Sequence, residues 1–374
     1  MDELINEIVD EIKDYGIEDN HTITPERVTS WINQFKDEDR EFILEEMLKI
    51  FEKRFCTLED GTYFLKETIE FLTKDLKYKD VKELLDETEF LSLQEDGKSQ
   101  PRFLELLKDV LEEEFEYNYS EQKKDSVRNY LYIDDVFCTG NTMYHDIFEW
   151  LQVEIDGKQR QQIIIENNSR IIFSYIFLHK KNYWKKMSQL KYTLSKEIVN
   201  KIQMVRWMDV DNTTNKPFSK CETIKPIEDK QSKAVTEYRD KIIKEVDEHA
   251  NGNYTVANDF YRGKLIPMRE KFFSSKENRI RLENIFLEKG IEILNNTEHV
   301  SKQQMRALGY SLPSYKDFGF GALCFTWRNV PNNTPLVFWY AGGHFIPLFE
   351  KHVYVKRFNL KEFLSSIKDK NEEV

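Results

Sequence analysis

Along the chain the spacing of apolar positions changes character. From residue 2 to residue 74 they recur every three or four residues, which is the period of a helix with one buried side. Leu4, Ile5, Ile8, Val9 and Ile12 share one face of a helix predicted over 2–15, and Gly16 stands where a C-cap belongs. TPERVTSWINQF opens with Thr24 as N-cap and Pro25 in the first turn, then places Val28, Trp31, Ile32 and Phe35 together. DREFILEEMLKIFEKRF repeats the pattern through Phe42, Leu44, Met47, Leu48 and Phe51, and a further helix is expected over 61–74. No Gly-, Ser- or Pro-rich linker follows, so this helical region, residues 1–75, is expected to pack on what comes next.

From about residue 88 short apolar runs alternate with helical stretches. FLSLQ (90–94), YLYIDDV (130–136), RIIFSYIFLH (170–179) and KIQMVRWMDV (201–210) read as strands. PRFLELLKDVLEEEF, TMYHDIFEWLQ and NYWKKMSQLKYTLSK between them read as helices, and EDGKSQ as a turn at Gly97. Such alternation predicts βαβ units in a parallel sheet, and near-continuous apolarity suits strands buried on both faces. Residues 212–310 break the rhythm and read as a polar, mostly helical insertion, while GFGALCFTWRNVPNNTPLVFWYAGGHFIPLF predicts two more strands around the PNNT turn. The expected architecture is therefore α/β, with a parallel-sheet core in 76–374, a helical insertion at about 212–310 and an N-terminal helical region.

Composition narrows the picture. The chain has 374 residues, 40% of them hydrophobic, which is ample for a core. No apolar run approaches the roughly 20 residues of a membrane span, and the acidic, amphipathic start lacks the features of a signal peptide. Four cysteines lie far apart without a CxxC pair, and seven histidines show no ligand spacing, so free thiols in a reducing cytoplasm are expected and zinc is not. The net charge of −12 hides a split between −19 over residues 1–120 and +7 over 121–374. The acidic half is unsuited to nucleic acid, and the basic half suits phosphorylated ligands.

YLYIDDVFCTGNT, residues 130–142, carries the clearest chemistry. A buried strand ends on Asp134 and Asp135, turns through Thr139 and Gly140, and enters a helix at Asn141 and Thr142. Parallel sheets bind ligands at the carboxyl ends of their strands, and a helix N-terminus offers free amides to an anion. Carboxylates beside a phosphate need another partner, so ribose hydroxyls or Mg²⁺ fit them, and the segment asks for a ribose 5-phosphate.

This stretch resembles the phosphoribosyl-pyrophosphate loop of type I phosphoribosyltransferases. The resemblance implies that Asp134 and Asp135 act as catalytic residues that meet the ribose 2′- and 3′-hydroxyls, with Mg²⁺ a possible cofactor on the same acids. It implies that Thr139, Gly140, Asn141 and Thr142 wrap the 5-phosphate, and that Lys98 and Ser99 of EDGKSQ contact pyrophosphate. Tyr132 and Phe137 are bulkier than the pattern, and Cys138 stands where purine-salvage members carry an Asp, which argues against an ordinary purine acceptor. A wider resemblance, through WINQF, GKSQ, YIDDVFCTGNT, FSYIFLHKKNYW and PNNT, is to the phosphoribosyltransferase-like effectors of prokaryotic conflict systems. Arg328 departs from it, standing before NVPNNT where a histidine is expected. The wider resemblance implies a toxic role in anti-phage defence, with a regulatory partner protein or nucleoprotein on the acidic N-terminal helices.

The residues leave three kinds of function open: a transferase using phosphoribosyl pyrophosphate, a glycosidase-like nucleotide hydrolase, and a nucleotide-sensing module without turnover. Asn332 and Asn333 read either as a tight turn or as lining for the base or acceptor pocket. HKKNYWKKMSQLKY, with Lys180, Lys181, Lys185 and Lys186 among Tyr183, Trp184 and Tyr192, reads as a helix with a solvated basic face, as a nucleic-acid surface, or as a source of lysines for pyrophosphate. Cys138 reads as packing or as a thiol activated by the helix terminus.

Overall fold

The computed structural model describes residues 1–19, 21–95, 98–119, 126–229, 231–252, 256–298 and 304–351. Three helices come first: α1 (Asp2–Ile12), α2 (Pro25–Ile32) and α3 (Asp37–Arg54). Thr24 caps α2 by accepting from the Arg27 amide, with Pro25 in the first turn. β1 (Phe55–Cys56) leads into α4 (Leu58–Asp75), which opens on a capping box between Thr57 and Asp60. After α5 (Val81–Asp86) the α/β part follows as β2 (Thr88–Phe90), α6 (Ser99–Phe115), β3 (Asn129–Phe137) and α7 (Asn141–Gln152). A small hairpin, β4 (Glu154–Ile155) with β5 (Lys158–Gln159), precedes α8 (Arg160–Glu166), β6 (Arg170–His179), α9 (Lys180–Thr193), α10 (Lys196–Val199) and β7 (Ile202–Val210). Two long helices, α11 (Lys233–Ala250) and α12 (Lys276–Asn295), and the short β8 (Phe325–Thr326) complete the described elements.

The main sheet is parallel throughout, in the order β2-β3-β6-β7. One face carries α4, α5 and α6 through Phe64, Leu65, Leu84, Phe103 and Leu107, against Leu131, Ile133 and Ile176 of the sheet. The other carries α7 to α10 through Ile147, Leu151, Ile164 and Leu190, against Tyr132, Phe173 and Tyr175. β3 and β6 are buried on both faces, as their apolar runs require, whereas β7 is an edge strand left half exposed, with Trp207 43% accessible.

A third core is built from distant parts of the chain. Ile5, Ile8, Trp31, Met47 and Phe51 of α1–α3 pack with Val235 and Ile242 of α11, Phe286 and Leu287 of α12, and Phe325, Phe338 and Phe349. Trp31 donates through Nε1 to the Val337 carbonyl at 2.8 Å and stacks on Phe338. The first helices thus share their interior with the insertion and the C-terminal stretch, while α4 belongs to the sheet.

Three sequence expectations need correction. The strand expected at 90–94 lies at Thr88–Phe90, with Leu91 adding one further bond to Leu131. The terminal stretch forms one strand rather than two, because Phe325–Thr326 pairs in parallel with Phe55–Cys56 and LVFWY runs into a 3-10 turn. That stretch is apolar because it is buried between helices, and Pro335 and Pro347 cannot donate to a ladder. The insertion has two helices among its described residues, and the segments between them are irregular. The turn expected at Gly97 lies outside the described residues. Among the described residues no helix is long and apolar enough to cross a membrane, and all four cysteines are buried free thiols.

Candidate functional site

β3 delivers its two acids at the carboxyl edge of the sheet. Successive side chains on a strand point to opposite faces, so Asp134 and Asp135 serve different neighbourhoods. Asp134 is 7% accessible and accepts from Gln94 Nε2 at 2.9 Å, Ser99 Oγ at 2.8 Å and the Asp135 amide at 2.9 Å. The same Gln94 amide donates to the Tyr132 hydroxyl, which in turn donates to Asp146. Asp135 is 2% accessible and accepts from Asn329 Nδ2 at 2.9 Å and the Val136 amide at 2.7 Å. Burial, then the charge of Asp135, raises the Asp134 carboxyl to about 7.

Phe137 to Thr142 turn the chain into α7. Gly140 is the N-cap, at φ +71°, a left-handed conformation that suits glycine. A Cβ there would meet the Phe137 ring at 2.2 Å and Lys186 Cγ at 2.9 Å. Gly140 offers no side-chain cap and the first turn holds no acid, so the positive end of the helix dipole is uncompensated there, with the Asn141 amide on Thr139 Oγ1 at 3.4 Å. Beneath the loop His179 is buried, with Nδ1 on the Phe137 carbonyl at 2.8 Å and Nε2 without a partner among the described residues. Burial lowers its pKa to about 4, so the ring is neutral and serves as a prop for the loop. Burial drives the Cys138 thiol well above its ordinary range, which favours packing over an activated thiol.

Two cavities flank this strand end. The smaller, about 130 Å³, is lined by Lys98, Ser99, Arg102, Arg328, Asn329 and Lys351, with Tyr15, Gly16 and Asp19 closing it. Both Nη atoms of Arg328 are buried there without a hydrogen-bond partner among the described residues. Its guanidinium lies 5.6 Å from the Phe103 ring and 5.7 Å from that of Trp327, and burial lowers its pKa against the pull of Glu18 and Asp135. Lys351 donates to Asn332 Oδ1 and lies over the Trp339 ring at 4.4 Å. Burial lowers it to about 7, opposed by Asp135. The larger cavity, about 440 Å³, lies beyond the ends of β6 and β7, with Thr139 of the loop in its wall.

The structure therefore brings together Asp134, Asp135, Lys98 and Ser99 on one side, and Thr139, Gly140, Asn141 and Thr142 at the head of α7. Ser99 faces Asp134 rather than standing free for a ligand. Asn332 and Asn333 line neither cavity: Asn333 Nδ2 donates to the Tyr310 carbonyl at 2.8 Å, and Asn332 holds Lys351. Asp134 and Asp135 point apart, and no group of three or more His, Cys, Asp or Glu among the described residues is placed to hold a metal. Gln94, Asn329, Arg328 and Lys351 were missed by the sequence pattern; only Arg328 carried a signal, as a departure from the expected histidine.

Against known families, residues 28–351 match PRTase-CE, phosphoribosyltransferases of conflict-effector type. The chain belongs to that family. The PRTase-CE match starts inside the α2 segment and runs to Lys351, so it takes in the third core from Val28 onward, without α1, and the residues of both cavities except Tyr15, Gly16 and Asp19. No curated protein and no solved structure matches the chain.

Proposed function

We propose that the protein binds phosphoribosyl pyrophosphate, or a nucleotide, and acts at ribose C1. The observation that carries this reading is the smaller cavity, where a buried guanidinium with unpartnered Nη atoms stands beside Ser99 and Asn329, which hold the two buried carboxylates at the end of a parallel strand. Buried charge without a partner is costly, and a diphosphate supplies what Arg328 lacks. The ribose hydroxyls would take the place of Gln94 on Asp134, and the 5-phosphate would sit on the amides after Gly140. Arg328, Lys351 and Lys98 would hold the diphosphate.

In transfer, the bond from C1 to the diphosphate oxygen breaks and its electron pair leaves with pyrophosphate. A lone pair of the acceptor forms the new bond to C1, and the acceptor's proton passes to solvent. The chain's part is positioning and electrostatic: the acid pair stabilises the cationic ribose, and the basic cavity stabilises the leaving charge. Two carboxylates with no further acidic ligands do not make a metal cage on their own, but they suit Mg²⁺ that arrives on a diphosphate, where it would neutralise part of the leaving charge. Membership of a conflict-effector family supports a role as a toxic effector in anti-phage defence, with the exposed acidic faces of α1 and α3 open to a regulatory partner.

The test is calorimetry with Mg²⁺-phosphoribosyl pyrophosphate, followed by product analysis. Pyrophosphate release with an acceptor identifies a transferase, free base released from a nucleotide identifies a hydrolase, and saturable binding without product identifies a sensor. Absence of binding at millimolar ligand, in protein shown to be folded, overturns the reading.

A further inference from the structure

The larger cavity is built differently from the smaller. Its floor is the first half of α9, where Lys181 and Lys185 are one turn apart and so share a face. Its walls are the segment after β7, with Asn212 and Lys225, and the segment with Tyr315 and Phe320. Thr139 of the phosphate loop closes one end, so the cavity opens beside the 5-phosphate position. A volume of about 440 Å³ is in the range of small-ligand pockets.

Five lysines line it against two aspartates. Lys181 and Lys225 share Asp259, at 3.7 and 3.6 Å, and Lys316 pairs with Asp247 at 2.6 Å. Lys185 and Lys186 have no carboxylate partner among the described residues. Lys185 lies over the Tyr315 ring at 4.4 Å, and Lys186 donates to Gln189 at 3.0 Å against the phosphate loop. Burial lowers both ammonium groups, with the charge of Lys181 adding to it at Lys185 and that of Lys185 at Lys186. The cavity therefore offers uncompensated positive charge next to an aromatic face and a row of side-chain amides. Asn212 is fixed in that row, accepting from the Lys181 amide at 3.0 Å and donating to Asn182 at 2.9 Å.

We propose that this cavity is the acceptor site and that its acceptor is a nucleotide, with the base against Tyr315 and Phe320 and the phosphate on Lys185. A neutral base would leave the lysine pair unanswered, and an aliphatic acid would leave the rings and amides unused. The proposal rests on the ribose-phosphate reading of the neighbouring strand end. It also gives the basic, aromatic stretch of α9 a use: Lys181, Lys185 and Lys186 serve the cavity, whereas Trp184 and Tyr192 stay exposed.

Titration calorimetry tests it with the ribose-phosphate site filled by ribose 5-phosphate, which lacks a leaving group. Each of the four ribonucleoside 5′-monophosphates is titrated against its nucleoside. At least one nucleotide should bind roughly tenfold more tightly than its nucleoside, the size of one charge-assisted contact, and Lys185→Gln should abolish that preference. Tyr315→Leu should weaken nucleotide and nucleoside alike. No nucleotide preference, or a preference that survives in folded Lys185→Gln, overturns the inference. If ribose 5-phosphate itself fails to bind, the ribose-phosphate reading fails, and that result is distinguishable because it needs no nucleotide.

Discussion

Beside β2 and β3 the acids are hydrogen-bonded, but both Nη atoms of the buried Arg328 lack a partner among the described residues. Beyond β6 and β7 the buried Lys225 and Lys316 have carboxylate partners, and Lys181 and Lys185 are exposed. Arg328 and Lys351 line a space of about 130 Å³ with Ser99 and Asn329, which hold Asp134 and Asp135, while Lys181 and Lys225 of the larger cavity share Asp259 and Lys316 pairs with Asp247. An unanswered charge in a dry site lowers stability, and one near water costs little. On the proposed reading, an anion in the smaller cavity relieves Arg328, and the larger cavity adapts to its occupant through the exposed Lys181 and Lys185. If both proposals hold, the contrast puts the fixed part of the substrate at β3 and the variable part beyond β6.

The largest effect should come from Asp134→Asn with Asp135→Asn. Hydrogen bonds to charged groups contribute roughly 1.5–3 kcal/mol each, so the double change should reduce affinity for phosphoribosyl pyrophosphate, and any turnover, by about a hundredfold or more. The melting temperature should hold or rise, because burial already penalises the Asp134 charge. Full affinity in the double variant would show that the acids are structural. Gly140→Val is a poorer probe, since its Cβ would strike the Phe137 ring and disturb packing as well as the loop.

Arg328→Met should come next. Binding of inorganic pyrophosphate should fall roughly ten- to a hundredfold, as expected on removing a bidentate charged donor, while ribose 5-phosphate binds as before. The melting temperature should rise, because methionine keeps the contact with Phe103 and Trp327 without the unpartnered nitrogens. Unchanged pyrophosphate affinity would move the anion site elsewhere.

Asp134 and Lys351 predict a pH signature in metal-free buffer. Asp134 is raised from 3.8 to about 7, so between those values the fold holds a proton that the unfolded chain has lost, and stability falls as pH rises. Lys351 is lowered from 10.5 to about 7, so above 7 the unfolded chain keeps a proton that the fold has lost, and stability rises. Together they place a trough in melting temperature near pH 7. Asp134→Asn should remove the acid limb and Lys351→Met the alkaline limb. A curve unchanged in the double variant would rule out the cluster as its source.

How much of this was legible in the sequence differs between the two cavities. β3, Gly140 and the head of α7 were readable because the signal is local: an apolar strand, two acids and a turn within thirteen residues. Arg328, Asn329 and Lys351 reach the site from more than 190 residues beyond Asp135, as the Asn329 contact shows, and no local period reports such a meeting. The terminal stretch was misread as strands for a related reason. Phe338 and Phe349 are apolar because α2, α3 and α12 cover them, and burial by distant helices leaves the same run of letters as a ladder does. The third core was invisible because each helix shows its apolar face without showing which partner covers it.

The smallest effect concerns Ser99, which the sequence placed with Lys98 on pyrophosphate. In the fold its hydroxyl donates to Asp134 Oδ1 at 2.8 Å, one of three bonds that favour the charged carboxylate and so oppose the effect of burial. Ser99→Ala removes one bond and should weaken binding of phosphoribosyl pyrophosphate only about three- to tenfold, in line with roughly 0.5–1.5 kcal/mol for a single hydrogen bond. The shape of the loss separates the two roles. A lost pyrophosphate contact lowers affinity for inorganic pyrophosphate equally at every pH. A lost partner of Asp134 raises its pKa further, so affinity for ribose 5-phosphate should recover as pH increases and its midpoint should move to the alkaline side. Lys98→Ala, with no bond to Asp134, should show the first pattern. If Ser99→Ala shows it too, Ser99 is a diphosphate ligand, and Asp134 must be held in place by Gln94 and the backbone alone.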